Sequence, residues 1–321
     1  MNQRGSEEPE VSKLGMEPVG DILHRVQGNR GGKMLGQTNP TQPKQETRAE
    51  ECECETCHEK FPGEVTIYHF THPPRELRST ECPKCRQARE EEDCRLEEEE
   101  NEVRRVAIRG KWRKECGLPV GLLCTRFDDF EPAYQRTPLK LCQEYAKNFN
   151  VENPQGMLSL LMYSSLPGVG KTTLMVCIAN YIIENWRGDP HDTTCPIRFE
   201  SGPGLVRRIR ATYNLGPERG HHEREEDVYA ELRGVNLLML DDVGKEQPQS
   251  YRFTQEVYWY IIDERVKAGL PVVISSKLEM TGPGSLEELM TVDAVDRLFG
   301  MCRGQRVNLG GTSYRRRKLI P

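Results

Sequence analysis

No stretch of the chain approaches the ~20 consecutive apolar residues that a helix needs to cross a bilayer. Its first residues, MNQRGSEEPEVSKLG, lack the basic-then-apolar order of a secretory signal. A large excess of one charge is missing too. The 45 Lys+Arg and 50 Asp+Glu leave a net charge of −5, so whole-chain balance does not mark a nucleic-acid binder and charge has to be read locally. There is no internal repeat. Residues 1–50 are poor in apolar side chains and rich in Gly, Pro, Gln and Glu, so they cannot bury enough surface to offset ordering. They read as a mostly disordered tail, with VGDILHRV at 19–26 either solvated or a brief docking helix. These absences point to a cytoplasmic protein, and 321 residues suffice for about two domains.

Cysteine, by contrast, is plentiful. Twelve cysteines in a reducing compartment point away from disulfides, and paired spacings there suggest metal. CETC supplies Cys54 and Cys57, CPKC supplies Cys82 and Cys85, and 24 residues separate the pairs. Two such knuckles are the ligand pattern of a zinc ribbon. Four thiolates complete a tetrahedron around Zn2+ and leave no open position, so the metal is structural. A module of this size, 51–90, gains most of its stability from the ion. Cys52 and His58 stand beside the first knuckle as substitute ligands. The competing reading is unligated cysteines or a redox pair.

A charged linker helix is expected over 91–119. The segment from 86 on is rich in Glu and Arg and free of Pro as far as Leu118, with Gly110 the place for a break. Nine Asp/Glu between Glu90 and Glu102 give way to Arg104, Arg105, Arg109, Lys111, Arg113 and Lys114. That basic half is either solvated or a surface for nucleic acid or a neighbouring subunit.

Over 120–321 the pattern changes. Apolar runs of strand length occur at 157–164, 196–201, 235–242, 271–276 and 305–310. Helical segments lie between them: Lys171 to Trp186, GLVRRIRATYN and QEVYWYIIDERVKAG. Near-continuous apolar strands alternating with helices predict an α/β domain, a parallel sheet covered on both faces. ERGHHEREED, 218–227, reads as an exposed loop in which His221 and His222 are solvated or, alternatively, bind a metal.

SSLPGVGKTTL, 164–174, nearly fits the phosphate-loop pattern G-x-x-x-x-G-K-[ST], with Ser165 where the opening glycine belongs. An apolar strand leads in and a helix leads out, so loop N–H groups face phosphate oxygens at a helix N-terminus. Gly168 and Gly170 permit close backbone approach. Lys171 brings positive charge to the β and γ phosphates, and Thr172 offers a hydroxyl to Mg2+. Pro167, Val169 and Thr173 complete the candidate nucleotide contacts, Thr173 reading first as a helix residue. In LLMLDDVG, Asp241 ends a strand at the carboxyl edge of the sheet, placed to hold hydrated Mg2+ with Thr172. Asp242 orients or deprotonates the attacking water, or else caps a turn. ATP hydrolysis is the expected chemistry, with Lys171, Asp241 and Asp242 in the catalytic set.

The order of motifs resembles DnaC/DnaI-type replicative helicase loaders and the related IstB-type transposition ATPases, a branch of the AAA+ ATPases. ECGLPVGLLCTRFDDFEP (115–132), SLPGVGKTTL, LLMLDDVG, IIDERVKAGLPVVISSKL and AVDRLFGMCRGQRVNLGGTSYR carry the resemblance, over about 115–318. It implies an AAA+ P-loop domain at 120–321 and a homo-oligomeric ring or spiral with ATP between subunits. An arginine of one subunit then reaches the γ-phosphate held by the next. Arg297, in VDRLFG, matches that finger position, against the plainer reading of a surface ion pair. Arg315 matches a second arginine near the nucleotide, or belongs to a general phosphate-contacting patch. The family usually ends its fourth strand with Ser-Asn or Thr-Asn, and that Asn senses the γ-phosphate. Here VISSKL places Lys277 at the Asn position after Ser276, so Ser276 takes part of the task or Lys277 contacts the phosphate itself. The departure bears on turnover more than on binding.

Single-stranded DNA is a further ligand the resemblance implies. Arg207, Arg208 and Arg210 follow the second strand on a helix with Tyr213 nearby, and cations along a backbone with a stacking ring suit sequence-tolerant binding. A solvated helix with Tyr213 in the core is the alternative. A cysteine-bearing amino-terminal domain is similar to that of DnaI-type and phage-type loaders, where it contacts the replicative helicase. The implied function is a helicase loader whose partner is the replicative DNA helicase. The alternatives are an IstB-like helper of a DNA transposase and an ATP-binding DNA adaptor with little turnover.

Overall fold

The computed structural model describes residues 45–70, 73–132, 135–213, 223–246 and 251–317. The segment 19–26, the 1–44 part of the expected tail and the His221–His222 pair lie outside them. The chain divides into two units, one ending at Arg89 and one starting at Glu90.

The first unit is an antiparallel meander of β1 (Gln45–Glu53), β2 (Lys60–Tyr68) and β3 (Arg75–Arg78). The tail expected to run to residue 50 therefore stops earlier. Gln45 to Glu50 pair with Tyr68 to Gly63, a backbone ladder that the polar sequence QETRAE does not advertise. Phe61 and Val65 point to one face of β2 with period 2. They join Cys52, Cys54 and Cys82 in a small buried core.

Next comes α1 (Pro83–Glu115), which runs without a break through Gly110. Proline opens it, where a missing N–H costs nothing. In the second unit, Arg105, Ile108, Arg109 and Trp112 recur at helical spacing and are buried. The expected outward basic face is thus partly an inward one. Arg105 Nε donates to the Gly188 carbonyl (3.1 Å) and Trp112 Nε1 to that of Thr193 (2.9 Å), while Trp112 packs on Trp186 with ring centroids 4.5 Å apart. Arg104, Lys111 and Lys114 remain exposed.

The rest of the second unit is an α/β sheet domain. Its strands are β4 (Leu160–Tyr163), β5 (Ile197–Ser201), β6 (Leu237–Val243), β7 (Val272–Ser276) and β8 (Arg306–Asn308). They lie in the order β5-β6-β7-β4-β8, and every pairing is parallel. Alternation on β6 splits the core. Leu237 and Met239 face α2 (Arg136–Asn148) and α3 (Lys171–Asn185). Leu238 and Leu240 face the opposite layer, α4 (Gly202–Thr212), α5 (Glu225–Gly234), α6 (Tyr251–Ala268), α7 (Leu286–Met290) and α8 (Val292–Met301). A short α9 (Tyr314–Arg317) follows. The loop expected over 218–227 is overtaken by α5 from Glu225, whose acidic first turn suits a helix N-terminus.

One charge is embedded in this layer. Arg265 is fully buried and has no carboxylate partner among its hydrogen bonds. Its guanidinium donates instead to the carbonyls of Leu232 (2.8 Å), Val235 (2.9 Å), Asn236 (3.3 Å) and Pro271 (2.5 Å). It thereby satisfies the end of α5 and ties that end to the start of β7. Burial lowers its pKa to about 9, a cost that the four carbonyls offset. Arg265→Leu is expected to destabilise the domain by about 3–5 kcal/mol, because four acceptors then lie unpaired in the core. Urea unfolding of the variant would show this; an unchanged midpoint would mean that water takes over the carbonyls.

Candidate nucleotide site and cysteine cluster

The loop between β4 and α3 turns on two glycines. Gly168 has φ 72° and Gly170 φ 100°, conformations that a side chain disfavours. Space forbids one as well. A Cβ at Gly170 would stand 2.7 Å from the Phe130 ring, and one at Gly168 would stand 2.2 Å from Ser313 Oγ. Lys171 opens α3 and is buried, its Nζ donating to the carbonyls of Ser164 (2.9 Å) and Leu166 (3.4 Å). Burial first, and Lys277 next, lower its pKa to about 8.

Thr172 Oγ1 donates to both oxygens of Asp241, at 2.8 and 3.1 Å. Ser275, on neighbouring β7, donates from Oγ to Asp241 Oδ1 (2.6 Å) and accepts the Asp242 N–H (2.9 Å). Burial pushes the Asp241 carboxyl up, while the Ser275 and Thr172 hydroxyls pull it back. A buried carboxylate beside a helix-opening hydroxyl is a hard-oxygen pair suited to a divalent cation. Asp242 follows at φ 53° with its side chain paired to Lys245.

A cavity of about 290 Å³ brings most of the sequence candidates together. Pro167, Gly168, Val169, Gly170, Lys171, Thr172 and Thr173 line it with Asp242, Lys277 and Arg315. Five further lining residues, Asp129 among them, carry no signal of that role in the sequence motifs. Phe130 and Tyr314 face each other with centroids 5.6 Å apart, and Glu131 and Lys245 add a charge of each sign. Tyr314 staples the loop, its N–H donating to the Gly168 carbonyl (2.9 Å) and its hydroxyl to that of Glu131 (2.6 Å). Ser275 also escaped notice, since a serine in a buried strand carries no periodic signal. Ser276, expected at the phosphates, is turned away: its hydroxyl donates to the Val243 carbonyl (2.7 Å) and accepts the Leu278 N–H (3.0 Å). A larger cavity of about 510 Å³, between α2 and α3, contains none of the candidate site residues.

Arg297 lies on α8, outside that cavity, paired with Asp263 of α6, which Lys267 also contacts at 2.6 Å. The four DNA candidates, three on α4 and Tyr213 at its C-terminal cap, part company. Arg208 is held by Glu200 (2.8 Å), Glu231 (2.5 Å) and Glu223, and that network raises its pKa. It serves its own acidic neighbours rather than a phosphate, which corrects the expectation of three equivalent cations. Arg207 Nε bonds the Pro203 carbonyl (3.1 Å). Arg210 and Tyr213 meet around Phe253, at 5.0 and 5.9 Å from its ring centroid, with Tyr213 exposed.

In the first unit the sulfurs of Cys54, Cys57, Cys82 and Cys85 all lie within 4.8 Å of one another. Cys54 sits in the β1–β2 turn and accepts the Cys82 N–H (3.3 Å), which is the main reason its pKa falls to about 6. Cys82 in turn accepts the Cys85 N–H (3.4 Å). The two spare ligands fall elsewhere. Cys52 packs against Gly63 in the core, and exposed His58 faces Glu53 at 3.5 Å. Four converging thiols with a thiolate-favouring member suit a tetrahedral metal.

Phosphate loop, paired acids and cysteine cluster occur in one chain that is 28% identical, over 156 residues, to a curated protein of Buchnera aphidicola subsp. Baizongia pistaciae (strain Bp). That protein is the replicative helicase loader DnaC. A second DnaC, from Buchnera aphidicola subsp. Acyrthosiphon pisum (strain APS), is 25% identical over 174 residues. These matches cover 49% and 54% of this chain and 54% and 62% of the respective DnaC sequences, so the chain spans little more than half the length of the curated relatives it matches. A crystal structure of the DnaC helicase loader is similar over 60% of this chain and 100% of its own, with 20% identity and a TM-score of 0.46. No family model matches the chain. The resemblance is to DnaC-type loaders, in a chain with a five-stranded parallel sheet and a glycine loop between β4 and α3. Among the described residues, no helix is long and apolar enough to cross a membrane.

Proposed function

We propose that this protein is an ATP-dependent helicase loader, acting in the cytoplasm during DNA replication. The observation that carries the reading is the single cavity where Lys171, Thr172, Asp242, Lys277 and Arg315 converge on a glycine loop, in a chain similar to DnaC. In this reading Lys171 and the loop amides face the β and γ phosphates, and Thr172 and Asp241 hold Mg2+. Asp242 orients the attacking water. Lys277, in place of an amide, adds a further cation to Lys171, Lys245 and Arg315, which favours holding ATP over rapid turnover. Arg297 leaves Asp263 to reach the nucleotide of the next subunit in a homo-oligomer, and Lys267 stays behind to balance that carboxylate. Zinc is held by Cys54, Cys57, Cys82 and Cys85, and the module it folds grips the replicative helicase. Arg210 and Tyr213 with Phe253, and Arg207 beside them, track single-stranded DNA.

The test is capture on the full-length protein from lysate of its source cell, in ATP, with bound proteins identified by mass. A replicative helicase is expected, and Cys82→Ser/Cys85→Ser should abolish its recovery. Recovery of a transposase in its place would make the protein an IstB-like helper.

A further inference from the structure

The two acids that end β6 are held differently. Asp241 receives the hydroxyls of Thr172 and Ser275 and, among the described residues, no ammonium. Asp242 receives the ammonium of Lys245, three residues on. The turn that brings them together is fixed on every side. Lys245 N–H donates to the Asp242 carbonyl (3.2 Å), and Ser275 Oγ holds the Asp242 N–H. Gly244, at φ 99°, donates its N–H to Glu246 Oε2 (2.6 Å), and the other Glu246 oxygen takes the Tyr258 hydroxyl. Both Asp242 and Lys245 line the nucleotide cavity, and Lys277 lines it with them.

We propose that Lys245 is a positioning residue that occupies the Asp242 carboxylate and so keeps basal ATP hydrolysis slow. The inference rests on the reading of this cavity as an ATP site. In hydrolysis the water oxygen bonds to the γ-phosphorus and the bond to the β,γ-bridging oxygen breaks, its electron pair leaving with ADP. The water proton departs through Asp242 to the released phosphate. A carboxylate can orient that water only through a lone pair facing it, and a charge-assisted bond from an ammonium outcompetes a neutral water for the same oxygen. The Lys245 side chain is 45% exposed, so a carboxylate or phosphate of a partner can draw it off. Turnover then rises on assembly without any change in the phosphate loop.

The test compares full-length wild type, Lys245→Met and Lys245→Arg in single-turnover hydrolysis with protein in excess over γ-labelled ATP. A fluorescent ATP analogue gives their affinities. Lys245→Met is expected to hydrolyse about tenfold faster, a modest part of what a positioned base contributes, with affinity within about threefold. Lys245→Arg keeps the cation and should rise no more than about twofold. An unchanged or slower Lys245→Met rate at intact affinity overturns the proposal, as does an equal rise in both variants. A large loss of affinity in Lys245→Met also overturns it, by making Lys245 a phosphate ligand. Wild type that binds no analogue would remove the ATP-site reading itself, an outcome separate from all of these.

Discussion

Lys171→Ala is expected to abolish measurable ATP binding at micromolar concentrations and to leave the fold intact. The ammonium is the one buried cation at the apex of the loop. Charge-assisted bonds to two phosphates are worth about 3–5 kcal/mol together, or roughly three orders of magnitude in affinity. The protein loses little by the change. Nζ reaches only two loop carbonyls, and burial has already made its charged form less favourable than in water. Titration of a fluorescent ATP analogue checks the affinity and thermal unfolding checks the fold; unaltered affinity would place the nucleotide elsewhere. A pH signature accompanies the loss. With a pKa of about 8, lowered from 10.5, Lys171 is charged at pH 7 and mostly neutral at pH 9. Bound phosphate needs the charged form, so wild-type affinity is expected to fall about tenfold from pH 7 to pH 9. The same lowered pKa acts oppositely on folding. The unfolded chain holds the extra proton between about 8 and 10.5, so the burial cost is full below pH 8 and fades as pH rises through that window.

Stripping zinc is expected to unfold the first unit and spare the second. Structural Zn2+ contributes about 10–16 kcal/mol to small cysteine modules. The core that would remain here is Phe61, Val65 and three of the cysteines' own side chains, two of them ligands. A core of that size does not hold a three-stranded meander unaided. Metal analysis should find about one zinc per chain. After chelation, limited proteolysis should cut within 45–89 while analogue binding persists. A metal-free wild type with protease-resistant strands would refute the zinc site. Cys82→Ser/Cys85→Ser should behave like the chelated protein, because it removes a whole knuckle.

The elements most legible in the sequence are those with a one-dimensional signature. The five strands of the parallel sheet announce themselves as apolar runs, and the phosphate loop and paired acids as motifs at strand ends. What escapes is whatever depends on distant parts of the chain meeting. Phe130 and Tyr314 close on Gly170 from opposite ends of the domain. Ser275 matters only because β7 lies beside β6. Arg208 looks like a DNA contact beside Arg207 until Glu200, Glu223 and Glu231 are seen to surround it. Residues 45–50 look like tail because antiparallel pairing of a polar strand is decided by its partner. The buried stripe of α1 was similarly masked: two of its four members are arginines, which enter the interior only because backbone carbonyls await them.

Tyr314 and Arg315 follow every other lining residue of the nucleotide cavity in the chain, after the whole sheet and all its larger helices. A ribosome therefore releases the phosphate loop, both acids and Lys277 well before the residues that wall them in. During synthesis the sheet can assemble with its loop still unstapled, and the proposed nucleotide cavity gains this wall only once Tyr314 and Arg315 have emerged.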